Sequence, residues 1–375
     1  MRIAIFRNIS HQIPPTNGYG GTDRGVFELC RELGKRGHEC HVFCAISPKL
    51  SELPNVFVSS CLEAAGRPNT ESERQKYDAL TREHFDYALK HFHALDSLSP
   101  FHIVNVRVDS SYLLDQLVAS IGYSRIIYSL HNVRSKSVAK YYLDERLTCT
   151  THTLSQKRSH GDGLNLHVVP YGVDIIEGQR ACSPARRFPF RYILSIGAIG
   201  PHKGVRSAIR IAGGVALPIV VAGVPFDPRG RDVGSYLSTV IDECRLTGGE
   251  FVGEVNEAEK VRLIRDAEVV LFCSGMEDLS WEEPFGRVIA EAGLIGTPVA
   301  AFDCKSTRDL ITAGLTGEFF DSIENAPAAV NNCVRLSRPD IRLQSSMRFS
   351  TGRFAEEFLS VCMKVIGSNS GSHGD

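Results

Sequence analysis

A chain of 375 residues is longer than one ordinary hydrophobic core encloses, so length alone predicts two domains, and 43% hydrophobic with 23% charged residues is the make-up of a folded globular protein. A formal net charge of −1 provides no dense basic face, which excludes nucleic acid from the expected partners. Eleven cysteines without a C-x-x-C pair favour reduced thiols over a disulfide framework or a zinc site, and the lack of a charged leader or long apolar span points to the cytoplasm, with no transmembrane segment and with peripheral membrane contact left open.

From the N-terminus, the apolar run 3–6, a Pro/Gly loop, a helical pattern burying Val26, Cys30 and Leu33, and a second run at 41–45 read as a β-loop-α-β unit of a parallel sheet. In that loop Gly18, Gly20 and Gly21 free the backbone to approach a ligand, and Thr22 is placed to cap the helix behind it. The loop is not a dinucleotide fingerprint. Asp23 stands where G-x-G-x-x-G needs its last glycine, and the second strand ends Cys44-Ala45-Ile46 with no acid for a ribose. Residues 62–96 are polar, with Leu80, His84, Tyr87, Phe92 and Leu95 at helical spacing, which predicts helices laid over a sheet edge. The runs 101–108 and 125–130 are further buried strands. The second delivers His131 and Asn132 just past its C-terminal end, where open α/β sheets bind ligands. Runs at 147–151 and 166–169 continue the sheet, and the aperiodic, basic stretch from Pro170 to Arg191 holds the expected linker.

The alternation restarts at 192–196, followed by the loop GAIGPHKG, a helix from Val205, strands at 219–222 and 251–252, a helix near 257–265 and a strand at 269–273. This predicts a second doubly wound sheet. Gly197, Gly200 and Gly204 open the backbone, and Lys203 sets one ammonium at the mouth of the sheet, a site suited to a diphosphate. It is not a P-loop, because G-x-x-x-x-G-K-[ST] is absent. In SWEEPFGRVIAEAGLIGTPVAAF, residues 280–302, Pro284 and Gly286 break the chain before a helix in which Val288, Ala292 and Ile295 share a face. Gly296 stops that helix and Pro298 enters a strand. Glu283 precedes the helix and Glu291 lies inside it, so a rise of about 1.5 Å per residue separates them by roughly 12 Å. Carboxylate pairs that cleave glycosides sit at about 5–9.5 Å. The two are therefore expected to accept hydroxyls at opposite ends of one extended ligand, with helix-start N–H groups between them for an anion, which is the layout of a nucleotide sugar. The chain closes with an amphipathic helix at 353–366, whose Phe354, Phe358, Val361, Cys362 and Val365 share a face, and a tail at 367–375 expected to be disordered.

GYGGTD, SLHN, VVPYGVD, ILSIGAIGPHKG, EPFGRVIAEAGLIGTPVAAF and GLTGEFF occur in one order along nearly the whole chain. Together they resemble the retaining, GT-B fold glycosyltransferases of family four, the glycosyl transferases group 1. The resemblance implies an α/β fold of two Rossmann-like, doubly wound domains facing across a cleft. It implies an acceptor-side domain over 1–175, a nucleotide-sugar domain over 176–352, and the helix 353–366 packing across both. Carried over, it implies that Glu291 holds the ribose hydroxyls, that Glu283 with the backbone of Phe285 and Gly286 holds the donor sugar, and that Lys203 meets the diphosphate. Gly20 and Gly21 would approach the phosphate and sugar, and His131 would contact the transferred hexose near its reacting face. His131, Glu283 and Lys203 are thus the candidate catalytic residues.

Three positions depart from the family. Ala198 stands where an Arg is usual, Tyr171 where Asn precedes G-V-D, and Lys305-Ser306-Thr307-Arg308 in place of a small-residue loop. Arg287 is the candidate to supply the missing cation. No D-x-D occurs, so the expected chemistry needs no metal and no cofactor, with Lys203 and helix dipoles taking the cation's role. The expected function is transfer of a hexose from a nucleotide-diphosphate sugar to an unidentified acceptor, with retention of configuration. A nucleotide-sugar epimerase and a non-catalytic sugar-nucleotide binding protein on the same scaffold are the alternatives.

Overall fold

The computed structural model describes residues 1–15, 20–66, 68, 71–132, 136–161, 165–175, 183–215, 217–227 and 233–370. They divide into two compact units, one taking the described residues of 1–172 together with 351–370, the other those of 173–350.

The first unit is built on seven strands: β1 (Arg2–Phe6), β2 (Glu39–Phe43), β3 (Val56–Ser59), β4 (Ile103–Val106), β5 (Ile126–Ser129), β6 (Thr148–Thr151) and β7 (Leu166–Val168). All pairings are parallel, in the order β3-β2-β1-β4-β5-β6-β7. The central strands are short runs buried on both faces, as a parallel sheet covered by helices requires. The chain winds outward from β1 to β3 and then returns to place β4 on the other side of β1. The loops leaving β1 and β4 therefore diverge, which opens a crevice at the C-terminal strand ends. Phe6 pairs with Val106, so the next residues, Arg7 and Arg107, stand together at that point.

The helix Gly21–Lys35 buries Val26, Cys30 and Leu33, as their spacing predicts. It starts at Gly21 with Gly20 as its N-cap and no capping side chain, so Thr22 lies inside the first turn rather than capping it. Gly20 has φ 131°, and a Cβ there would stand 2.5 Å from Pro15 Cγ, so only glycine fits. Gly18 lies outside the described residues. The polar block forms one helix, Glu71–Leu98, which packs on the face of the sheet and not over its edge: the Phe92 ring lies 5.6 Å from Phe6 and 5.5 Å from Phe101. Its buried stripe is His84, Phe85, Ala88, Leu89 and Phe92, while Leu80 and Tyr87 are exposed. The aromatic stack of Phe6 on Phe43 provides the surface that selects this stripe.

The last helix, Thr351–Ser370, belongs to the first unit and packs against Gly21–Lys35 through its buried Phe354, Phe358, Val361, Cys362 and Val365. Arg353 Nη2 donates to the carbonyls of Pro170 at 2.8 Å and Tyr171 at 3.2 Å. The helix continues through 367–370, where a disordered tail is expected. Ser368 Oγ there donates back to the preceding turn, 3.0 Å from both the Lys364 and the Val365 carbonyl. Residues 371–375 lie outside the described residues.

The second unit repeats the plan with β8 (Ile193–Ile196), β9 (Ile219–Ala222), β10 (Glu250–Gly253), β11 (Val269–Phe272), β12 (Val299–Phe302) and β13 (Gly317–Phe320). Their order is β10-β9-β8-β11-β12-β13, again all parallel, with the switch between β8 and β11. The edge strands β3 and β13 are not among the strands expected from the sequence, and each is buried only at its two end residues.

Candidate active site

At the switch of the second sheet, the loop after β8 ends in the turn Pro201–Lys203 and the loop after β11 leads to Glu283. A hydrogen bond from Gly275 N to the His202 carbonyl at 2.9 Å joins them. This brings Lys203 and Glu283 into a direct ion pair, and Ser274 Oγ donates to the same Glu283 Oε2 at 2.9 Å. Burial works to raise the Glu283 carboxyl, but the charge and hydrogen bond of Lys203, with Ser274, overcome it and hold the group below its ordinary value. The Lys203 ammonium also lies 5.5 Å from the centre of the Trp281 ring, which packs edge-on against His202 at 4.9 Å. Two residues read separately, one for phosphate and one for sugar, thus form a single charged pair.

The helix Arg287–Ile295 follows, nine residues long, with Gly286 as a left-handed N-cap that has no side chain to offer. A helix start of this kind is suited to an anion. The helix Val205–Gly213, which follows Lys203, is different. Glu277 fills its N-terminus, accepting from Ser207 N at 2.6 Å with one oxygen and from the Tyr236 hydroxyl at 2.9 Å with the other. Phe285 is buried and meets Phe349 edge-on at 6.1 Å, which anchors the turn before the helix Arg287–Ile295.

Glu291, one helical face further on, is buried with two cations: its Oε1 accepts from Lys260 Nζ at 2.9 Å and from Arg287 Nε at 3.1 Å. Lys260 also pairs with Glu257 at 2.9 Å. Arg287, the candidate to replace the clamp missing at Ala198, is therefore engaged with Glu291, and Ala198 itself is buried. The departing loop at 305–308 makes surface pairs, Lys305 with Glu282 at 3.0 Å and Arg308 with Asp303 at 2.6 Å.

In the first unit, Arg7 Nε donates to Asp23 Oδ1 at 2.6 Å and Arg7 Nη1 to the Arg107 carbonyl at 2.9 Å. Asp23, the residue that breaks the dinucleotide pattern, is fully buried, and His11 Nδ1 lies 3.0 Å from its other oxygen. Burial would raise this carboxyl, yet Arg7 and His11 hold it below the usual range. His131 follows β5, with Nδ1 2.7 Å from the Tyr171 hydroxyl and 3.2 Å from His152 Nε2. Burial, then the charges of Arg107, His152 and Arg7, push its pKa well below the ordinary value, so the imidazole is neutral. The turn is held by Asn132 Nδ2 donating to Asp109 Oδ2 at 2.7 Å and by Gln156 Nε2 donating to the Leu130 carbonyl at 3.0 Å.

Sequence reasoning missed Lys260, His152, Arg7, Arg107 and Ser274. For His152 a signal existed: β5 and β6 are adjacent, and each is followed by a histidine two residues past its last paired position. Lys260 reads as an ordinary i,i+3 partner of Glu257, and only its burial shows otherwise.

The profile of the family described as glycosyl transferases group 1 matches residues 186–338, the stretch that carries Lys203, Glu283 and Glu291. This stretch is similar to the domain of group 1 glycosyl transferases. The chain is 24% identical over 340 residues to the phosphatidyl-myo-inositol mannosyltransferase of Mycobacterium tuberculosis, spanning 84% of this chain and 82% of that one. Among solved structures it is similar to AviGT4, a glycosyltransferase involved in avilamycin A biosynthesis, with a TM-score of 0.70, 19% identity and 98% of each chain covered. It is also similar to HepE of Anabaena in complex with UDP and glucose, with a TM-score of 0.67, 15% identity, and 97% of this chain and 100% of that one covered. The fold is GT-B, and the profile match supports a sugar-transferring enzyme. Among the described residues, no helix is long and apolar enough to cross a membrane.

Proposed function

We propose that the enzyme transfers a hexose to an acceptor hydroxyl with retention of anomeric configuration and without a metal ion. The observation that carries this reading is the Lys203–Glu283 pair, which precedes the start of the helix Arg287–Ile295 in the same loop. A cation and a helix N-terminus suit a departing diphosphate, and a carboxylate beside them suits the hydroxyls of the sugar it leaves. Glu291 takes the ribose hydroxyls, the backbone of Phe285 and Gly286 supports the sugar with Glu283, Gly20 and Gly21 approach the phosphate with their backbone, and neutral His131 contacts the hexose. The sequence has no D-x-D to hold a metal, so Lys203 and the helix start carry the electrostatic work.

In the step itself the bond from the anomeric carbon to the diphosphate oxygen breaks, the acceptor oxygen bonds to that carbon on the same face, and its proton passes to the departing phosphate. A covalent route through Glu283 is disfavoured, because Lys203 and Ser274 both engage its Oε2 and lower its nucleophilicity. The test is incubation with UDP-glucose, GDP-mannose and related donors, with acceptors that include phosphatidyl-myo-inositol, the lipid in the name of the mycobacterial relative. Product NMR reads the anomeric configuration. Inverted product refutes retention, interconverted donor sugar favours an epimerase, and binding without turnover favours a silent binding protein. Transfer should be unchanged in excess EDTA; a loss that Mg²⁺ or Mn²⁺ restores refutes the metal-free mechanism.

A further inference from the structure

Parallel strands β5 and β6 pair Ser129 with Thr150, so His131 and His152 leave the sheet side by side. His152 is buried, with its ring 3.8 Å from that of Tyr171 and 5.2 Å from that of His131. Its Nδ1 lies 3.1 Å from the Val169 carbonyl, which can only accept, so Nδ1 carries a proton. Burial, and then the charge of Arg107, push the His152 pKa down to about 3, so that proton is its only one and Nε2 is a bare lone pair. Nε2 stands 3.2 Å from His131 Nδ1. Two lone pairs at that separation repel, whereas a proton on His131 Nδ1 makes a hydrogen bond there. His131 is neutral too, so its other nitrogen is bare, and among the described residues that Nε2 is shielded from solvent with no hydrogen-bond partner.

We infer that His152 is a positioning residue: the Val169 carbonyl orients its ring, and the ring in turn sets His131 as the Nδ1–H tautomer, so that His131 Nε2 accepts a hydrogen bond from a hydroxyl of the bound hexose. The last clause rests on the reading that His131 contacts the sugar; the tautomer itself does not. The competing arrangement has the Tyr171 hydroxyl, 2.7 Å from His131 Nδ1, donating to that nitrogen. Among the described residues it would leave His152 Nε2 without a donor, and it would place the His131 proton on Nε2, turning an acceptor into a donor.

Long-range ¹H–¹⁵N correlation spectra of the ligand-free, full-length protein, labelled at histidine and assigned with His131→Gln, separate the two. The proton is expected on Nδ1 of His131 in the wild type and in Tyr171→Phe. It should move to Nε2 in His152→Phe, which keeps a ring against Tyr171 but offers no acceptor. A wild-type proton on Nε2 overturns the inference, as does a tautomer that changes in Tyr171→Phe and not in His152→Phe. Should His152→Phe fail to fold, the wild-type spectrum still decides. His152→Phe is further expected to weaken nucleotide-sugar binding about tenfold while leaving nucleoside diphosphate binding unchanged. Equal loss for both ligands overturns the role at the sugar. A wild type that binds no nucleotide sugar would instead count against the proposed function, with the tautomer assignment judged on the spectra alone.

Discussion

Lys203→Met removes the cation from Glu283 with little change in volume. The two side chains are 21% and 10% exposed, so the variant strands a mostly buried carboxylate. Removing one member of a buried pair costs about 3–5 kcal/mol. The second unit spans about 180 residues, a size at which each kcal/mol moves the melting midpoint by about 2–4 °C, so the expected fall is roughly 6–20 °C. Glu283→Gln added to the same chain removes the stranded charge, and the double variant should regain most of the loss. Ligand binding then separates support of Glu283 from contact with phosphate. If Lys203 meets the diphosphate, the single and double variants should both bind UDP, GDP or ADP about tenfold or more weakly, and transfer should slow about 10²–10³-fold. Calorimetry gives the melting midpoints. The fluorescence of Trp281, the chain's one tryptophan, which lies against His202, reports binding. A double variant that binds diphosphate like the wild type would show that Lys203 only neutralises Glu283, and an unshifted midpoint in Lys203→Met would refute the energetic reasoning.

Glu291→Gln should weaken nucleoside diphosphate binding about tenfold and also lower the melting midpoint, because Lys260 and Arg287 lose the negative charge they share; unchanged affinity in a folded variant would remove Glu291 from the ribose. Ala198→Arg inserts a guanidinium at a buried position, so it should cost about 1–3 kcal/mol of stability without tightening diphosphate binding. Tighter binding at full stability would mean that an empty cation position exists there. Glu283 is held below its ordinary value of 4.5, so its pairing stabilises the fold fully above that pH and is lost as pH falls through the folded value. The melting midpoint of the second unit should therefore drop on acidification below about pH 4.5, and titration by calorimetry should find that drop reduced in Lys203→Met plus Glu283→Gln; an equal acid dependence would assign it to other carboxylates.

The sequence by itself determined which stretches are strands and helices and that the sheets are parallel, because short apolar runs alternating with helical patterns have no other way to bury both strand faces. It also marked the backbone positions that only glycine tolerates, Gly20 with φ 131° and Gly286 with φ 76°, and, through its motifs, the family. The short edge strands β3 and β13, buried only at their end residues, went unread, and local pattern misplaced the stripe of Glu71–Leu98, whose partner is an aromatic stack distant in sequence. Only the tertiary structure decided the partners. Lys203 meets Glu283 across 80 positions and Lys260 meets Glu291 across 31, in both cases because separate elements converge at one end of the same sheet. The register of β5 against β6 sets His131 beside His152, and the last helix returns to the first unit by burying an apolar face whose destination its own periodicity does not encode. Periodicity records how much of a side chain is inside. Which charge or ring it meets there depends on strand order and register, and these are properties of the whole sheet.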